Sequence, residues 1–417
     1  MDGFQDILIL VSFLIEVAVL CYLELKAWKT LYTPLNFLML PYVIVLLISI
    51  AISGHWGFVE FYYPSILLWS VGLLIFAIPS FTLAFFLQKS DMPLNSSISE
   101  MGMPRCITYI SVVIILLFLW RFKSLMGGAA PIGTHDFGEE FSGRGFWGHL
   151  RQLSLPILMM SIYLVDKQKM WLWGIIVAFI VVGFLYNVLG WIIIPCIAGI
   201  SLRLYTGKTK LKASLLLYVL LGATVVFFGS YILSLVVTGD TELDNELLFF
   251  IVRNFIHYLT SGTLGFSVDM ERGCPDAGGL EMIIAQVINL GKVIVGDSEV
   301  INPLNRLFYH TGFNWTNVRT FFGTIFINTN YLTFFVYVLF LSSSIYLLKL
   351  ATIRFNNVYV YVAYFFECGL LFMGWFDSYF ASLSVIEIPI LALVLLLIEK
   401  ISAPKEEPLE KIYVCNE

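Results

Sequence analysis

Charge is the scarcest commodity in this chain. Asp, Glu, Lys and Arg make up 13% of its 417 residues, against 59% hydrophobic, and mean hydropathy is +0.87. A soluble domain of this length could not hide that much apolar surface, so the class is an all-α polytopic membrane protein. Two further absences narrow the function. There is no basic tract of the kind that binds nucleic acid, and no glycine-rich phosphate loop, so nucleic acid is not expected as a partner. Cysteine usage is sparse: Cys21, Cys106, Cys196, Cys368 and Cys415 fall in apolar runs or in the tail, and only Cys274 lies in the long loop. One thiol there cannot close an intrachain disulfide, and no spacing resembles a zinc site, so neither a metal nor another cofactor is expected. The first apolar run follows Asp2 and Asp6, with no basic start and no small-residue cleavage site. A retained helix is expected there rather than a signal peptide.

What the chain does have is apolar runs. A bilayer-spanning helix needs about 20 such residues, and the runs fall at 6–25, 34–53, 64–87, 105–121, 151–165, 170–185, 187–204, 213–237, 324–348, 357–374 and 382–399. Eleven spans are expected, with the weakest boundary at Tyr186–Asn187. The chain thus divides into eight spans over 1–238, with a loop at about 121–150, a large loop over 239–323, three spans over 324–399, and a tail over 400–417. Placing the C-terminus inside puts 15 of the 24 basic residues in the cytoplasm, Lys349 and Arg203 among them. The positive-inside rule supports that orientation, with the N-terminus and both large loops outward.

The two sides differ in residue type. The inner set is twelve Lys and three Arg; the outer set is seven Arg and two Lys. Lysine suffices as a topogenic point charge, whereas planar, bidentate Arg grips carboxylate and phosphate. Each outer Arg therefore either pairs with a loop carboxylate or awaits an anionic ligand. In the 121–150 loop, whose glycines and Pro131 read as irregular chain, Arg144 and Arg151 flank Trp147 and His149. That is an aromatic among cations, suited to a sugar phosphate or to anchoring the interface.

The 239–323 segment carries ten Asp/Glu and five Lys/Arg. Leu243 to Thr260 reads as a helix, apolar on most sides with one polar seam at Glu246, Arg253 and His257. It suits the interface or the surface of the bundle. Met270 to Gly279 reads as a turn region, and Ala277 to Val293 as a second amphipathic helix. The stretch from Asn302 to Asn317 reads as a loop holding Arg306, His310 and Trp315, followed by Arg319. Charges inside spans are Glu16, Glu367 and Glu387, with Glu16 and Glu387 near span middles. They occur singly and without an inverted repeat, which does not favour a proton-relay transporter.

The arrangement of about eleven spans and one large outer loop in the second half resembles the Wzy-type O-antigen and capsule polymerases. Locally, TNVRTFFGTIFIN (Thr316 to Asn328) is similar to a recurring pattern in those proteins, and FIHYLTSGTLGFS (Phe255 to Ser267) to their segment after the eighth span. The acidic residue that often follows Thr-Phe-Phe in that family is replaced here by Asn328 or Asn330. The resemblance implies an integral-membrane glycosyltransferase of the GT-C type in a bacterial inner membrane. It would move a growing glycan from undecaprenyl pyrophosphate onto the non-reducing end of a lipid-linked repeat unit. Arg319, Arg253 and Arg151 would hold the pyrophosphate, with Arg144, Arg306, Asn317 and Trp315 also lining the substrate. His310 or His257 would take the acceptor proton, with Asp240 and Asp244 as carboxylate rivals. The implied partners are the lipid-linked oligosaccharide as donor and acceptor, membrane lipids, a chain-length regulator and a flippase.

Two other readings stay open. A related ligase, which moves the finished glycan to lipid A core, shares the loop and the donor. A flippase or transporter needs two similar halves with short loops, and the long outer loop argues against it.

Overall fold

The computed structural model describes residues 3–88, 103–128, 131–132, 134–143, 145–166, 170–212, 214, 221–222, 224, 227–229, 245–274, 279–296, 299, 301–302 and 307–402. The architecture is helical: α1 (Gly3–Trp28), α2 (Pro34–Ile52), α3 (Ser65–Gln88), α4 (Arg105–Leu125), α5 (Gly145–Leu164), α6 (Leu172–Leu185), α7 (Gly190–Tyr205), α8 (Asn245–Glu271), α9 (Ala285–Val295), α10 (Phe321–Ile327), α11 (Tyr331–Phe355), α12 (Val358–Phe372) and α13 (Ser384–Ser402). The sheet among the described residues is a two-stranded hairpin, β1 (Tyr309–His310) pairing antiparallel with β2 (Trp315–Thr316). Seven helices among the described residues are long and apolar enough to cross a membrane. The chain is therefore a multi-pass, all-α protein.

Local chemistry sets several helix ends. Thr33 caps α2, its hydroxyl accepting from the Asn36 N–H, and Pro34 follows at the first helical position, where its missing N–H costs nothing. Asn356 closes α11 in the left-handed region (φ 43°). Arg203 Nη1 donates to the carbonyls of Ile162, Tyr163 and Val165, groups that the end of α5 leaves unpaired. Counted from sequence as a topogenic charge, Arg203 serves as a C-terminal helix cap.

The core is built around α12. Of its membrane-length window 89% is buried, against 17% for α1 and 22% for α4, which line the rim. It packs against α2, α5, α7, α11 and α13. Helices α1 and α3 run parallel with α2 returning between them: Ser70 donates to Glu16 and, lower down, Ser80 donates to Glu24. At mid-depth Tyr42 stacks on Trp69 at 3.4 Å, Trp69 meets Phe322 edge-on at 4.8 Å, and its Nε1 donates to Thr320 Oγ1 at 2.9 Å. Gly72 leaves the space that the Phe322 ring fills.

Several sequence expectations change here. The run expected over 324–348 is broken, because Thr320 and Asn330 each cap a helix, accepting from Gly323 N and Thr333 N. Side-chain capping divides one apolar run into α10 and α11. The helix expected to end near Thr260 continues to Glu271, through a stretch expected to begin turning at Met270. Its small residues permit close packing that outweighs their weak helix propensity. This α8 is itself one of the seven membrane-length helices, so apolarity alone does not set the 239–323 segment apart. The 121–150 loop is partly helical, with turns at His135–Gly138 and Glu139–Gly143 whose Phe137 and Phe141 are buried against Phe118 and Phe122. Glu387 lies in the first turn of α13 rather than near its middle. The expected span at 213–237 falls mostly, and the 403–417 part of the tail wholly, outside the described residues.

Lys349, expected in a cytoplasmic connection, is buried where α1 ends. Its Nζ donates to Tyr32 O at 3.2 Å, and Glu24 is within electrostatic reach. Glu24 accepts from Ser80 and from Tyr346 Oη at 3.0 Å, while Trp28 Nε1 holds Ser80 at 2.8 Å. A buried cation that loses its counter-charge is costly, so Glu24→Ala is expected to destabilise the protein by about 3–5 kcal/mol. Glu24→Gln, which keeps a hydrogen-bonding carbonyl, should cost less. Thermal unfolding of the purified protein in detergent reads both.

Candidate functional site

The end of the bundle at which α1 begins carries the polar chemistry, assembled from four stretches distant in sequence. Helix α8 lies along it. Gly262 lets the helix backbone approach the carbonyls of Trp375 and Phe376, and Gly265 faces Val318 O. A side chain at either glycine would push these segments apart. Tyr258 stacks on Phe376 at 5.7 Å, and Ser267 Oγ accepts from Tyr62 N at 2.6 Å. The hairpin closes over the same helix: Thr311 O accepts from Val59 N at 2.9 Å, and Thr311 Oγ1 lies 3.1 Å from His257 Nδ1.

At the centre is an ion pair. Arg319 and Asp269 have fully buried side chains and are bonded through Nε and Oδ2, with Nη2 to Oδ1 at 3.4 Å. The remaining guanidinium donors go to Val318 O at 3.1 Å and Leu307 O at 3.4 Å, and the Tyr309 ring covers the cation at 4.4 Å. The desolvated surroundings and the neighbouring Asp269 raise the Tyr309 phenol above its ordinary value. Arg319 thus spends its hydrogen bonds inside the protein.

Next to it stands Asp377, in the segment after α12. Its carboxylate accepts from Thr324 Oγ1 and from Ser378 N, the latter at 2.8 Å. Desolvation by the surrounding chain pushes its pKa up to about 7, against the opposing pull of Thr324, Ser378 and Arg319. Two residues on, Tyr379 lies against Gly190 and meets Trp191 edge-on at 6.0 Å.

Trp191 leads to Arg151. Arg151 is 5% exposed as a residue, its guanidinium stacked 3.7 Å above the Tyr186 ring and 5.9 Å from that of Trp191. Its Nε and Nη1 are buried and have no hydrogen-bond partner among the described residues. Glu139 and Glu387 are within electrostatic reach, and Glu387 holds His149 Nδ1 at 2.6 Å. Starting α5 at Gly145 places Trp147, His149 and Arg151 on its first turns, whereas the sequence predicts a loop up to residue 150 and a span from Arg151.

Arg253 is another guanidinium with an unmet donor among the described residues. It lies 4.0 Å from the Phe313 ring and 6.0 Å from that of Phe58, with its buried Nε unbonded among the described residues. His257, four residues on, is buried between Phe58, Phe313 and Thr311. His310 and Trp315 sit together on the exposed side of the hairpin, 5.3 Å apart, and Asn317 is half-buried just ahead of Arg319. Arg253, His257, His310, Trp315, Asn317 and Arg319 therefore gather around the hairpin and α8. Arg151 joins them only through the Asp377–Tyr379–Trp191 line. Arg144, Arg306, Asp240 and Asp244 lie outside the described residues.

Sequence reading missed Asp269, Asp377 and the aromatic cradle of Tyr186, Trp191 and Tyr379. The available signal was an acid in a short connection between two apolar runs, WFDSYF from Trp375 to Phe380, with another acid ending an otherwise uncharged stretch.

Residues 57–405 match a family of unknown function, DUF6337. The chain belongs to this family. The match begins at Gly57, under the Arg253 guanidinium, and takes in the hairpin, the ion pair, Asp377 and Arg151. It leaves out α1 and α2. No curated protein and no solved structure matches the chain.

In this DUF6337 protein, Asp269→Ala is expected to strand Arg319 in the interior and cost about 3–5 kcal/mol. Asp269→Leu combined with Arg319→Met should recover most of that loss, since neither charge is then buried alone. A double-mutant cycle on detergent-solubilised protein measures the difference.

Proposed function

We propose that this protein is a surface-polysaccharide polymerase. On this reading it transfers a growing glycan from undecaprenyl pyrophosphate to the non-reducing end of a lipid-linked repeat unit, at the outer face of a bacterial inner membrane. Eleven spans in a GT-C-like arrangement, an outward N-terminus and a cytoplasmic C-terminus belong to the same reading, as do a flippase and a chain-length regulator as partners. The observation that carries it is Arg151, buried on an aromatic cradle, with Nε and Nη1 lacking an acceptor among the described residues. Leaving such donors unsatisfied is expensive unless a ligand meets them. A pyrophosphate offers several oxygens to a planar donor fork.

The reaction asks for a cation where negative charge develops and a base for the acceptor hydroxyl. The acceptor oxygen forms a bond to the anomeric carbon while the bond from that carbon to the pyrophosphate oxygen breaks. The leaving pyrophosphate keeps the electron pair and stays on its lipid, stabilised by Arg151. The hydroxyl proton passes to Asp377, whose carboxyl takes up and releases protons near neutrality. Arg319, with its donors committed to protein partners, acts as a positioning residue for Asp377. His257 is enclosed in the hairpin contact and His310 is on its exposed face, so Asp377 replaces them here as the proton acceptor.

Deletion of the gene should leave core carrying a single repeat unit on a lipopolysaccharide gel, with the ladder restored by wild type and not by Arg151→Ala. Arg151→Lys should restore it weakly, because an ammonium keeps the charge but not the fork. Bare core in the deletion strain would overturn the reading in favour of a ligase or a flippase. Asp377 must be ionised to act as a base, so the rate with lipid-linked repeat units should climb through about pH 7 and level off above it. Asp377→Asn should remove that limb and lower the rate by about 10²–10⁴-fold.

A further inference from the structure

The first half of α8 holds a second site whose chemistry differs from that around Arg151. Glu246, Phe249, Phe250 and Arg253 line one groove of about 470 Å³. Their spacing of three, four and seven residues puts them on a single helix face. Neither charged side chain has an ion pair or a hydrogen bond among the described residues, and Arg253 Nε is buried without an acceptor. Backbone at Gly57 and the Phe313 ring hold the guanidinium from behind. The groove therefore offers a carboxylate at one end, a guanidinium at the other, and two aromatic rings between.

Around it the helix is apolar and open: Leu248, Phe249, Phe250 and Val252 are 41–52% exposed. A bound sugar would leave those side chains in water, whereas lipid chains would cover them. A purely anionic headgroup would set its phosphate in the same groove as the Glu246 carboxylate with nothing to neutralise it. A headgroup bearing phosphate and, two carbons away, a primary ammonium satisfies both ends at once.

We infer that this groove is a binding site for an aminophospholipid headgroup, with the phosphate on Arg253, the ammonium on Glu246 and the chains over Phe249 and Phe250. The site lies apart from Arg151 and Asp377, and it stands whether or not the polymerase reading does. Lipid seated there ties α8, and through it the hairpin, to the membrane surface.

Native mass spectrometry of the full-length protein in detergent, with added phosphatidylethanolamine or phosphatidylglycerol, tests this. Wild type should retain phosphatidylethanolamine in preference to phosphatidylglycerol by about tenfold, the worth of one charge-assisted hydrogen bond. Glu246→Gln should abolish the preference by gaining phosphatidylglycerol, an outcome that an unfolded protein cannot produce. Arg253→Gln should weaken retention of both lipids, and Arg253→Lys should keep most of it. Soluble glycerophosphoethanolamine should compete only at far higher concentration, because it lacks the chains. Equal retention of the two lipids by wild type, an unchanged preference in Glu246→Gln, or displacement of the lipid by a soluble oligosaccharide would each overturn the assignment.

Discussion

The buried pair of Arg319 and Asp269 is the constraint on which the polar end of this protein rests. Two charges removed from water are tolerated only while they face each other. That requirement fixes the last turn of α8 against the chain entering α10. The close approaches at Gly262 and Gly265, the hairpin over His257 and the stacking of Tyr258 on Phe376 all follow from that placement. Asp377 inherits its setting from the same pair, since the Arg319 field and backbone oppose the desolvation that raises its pKa.

Three arginines at this end illustrate how one residue type takes different roles according to where its donors point. Arg319 gives its donors to protein oxygens, whereas among the described residues Arg151 Nε and Nη1 and Arg253 Nε, the last held against Phe313, have no acceptor. Burial alone would rank Arg319 first as a functional group; hydrogen-bond accounting ranks it last of the three. At the opposite end of the bundle, Lys349 and Glu24 form a polar core among tyrosines and Trp28, where the same accounting yields a structural role.

Fold class was legible from composition and from the length of the apolar runs, and most described helices begin within a few residues of the expected positions. Legibility failed where side chains outweighed hydropathy. Asn330 interrupts an apolar run because its side chain serves the backbone of α11, and no hydropathy window registers a cap. Helix α8 runs on past Thr260 through small residues whose worth lies in close packing, which a periodicity of apolar side chains does not register. Of the candidate site, Arg151, Arg253 and Arg319 were visible as outer arginines, and the spacing of Glu246, Arg253 and His257 was visible as a helix seam. Asp269, Asp377 and Tyr379 were not, since their significance lies in contacts across fifty residues of chain or more. Lys349 lies within α11 and not in a connection for a related reason: a lone lysine after an apolar run shows nothing of its buried partners.

The near-complete burial of α12 bears on how this protein is made. A helix whose surface is covered by five others reaches its final surroundings only after those neighbours are present, and one of them, α13, is synthesised after it. Glu367, within α12, is shielded from lipid by that same enclosure. The segment bearing Asp377 and Tyr379 joins these last two helices. The surroundings of that segment are therefore complete only once α13 has joined the bundle.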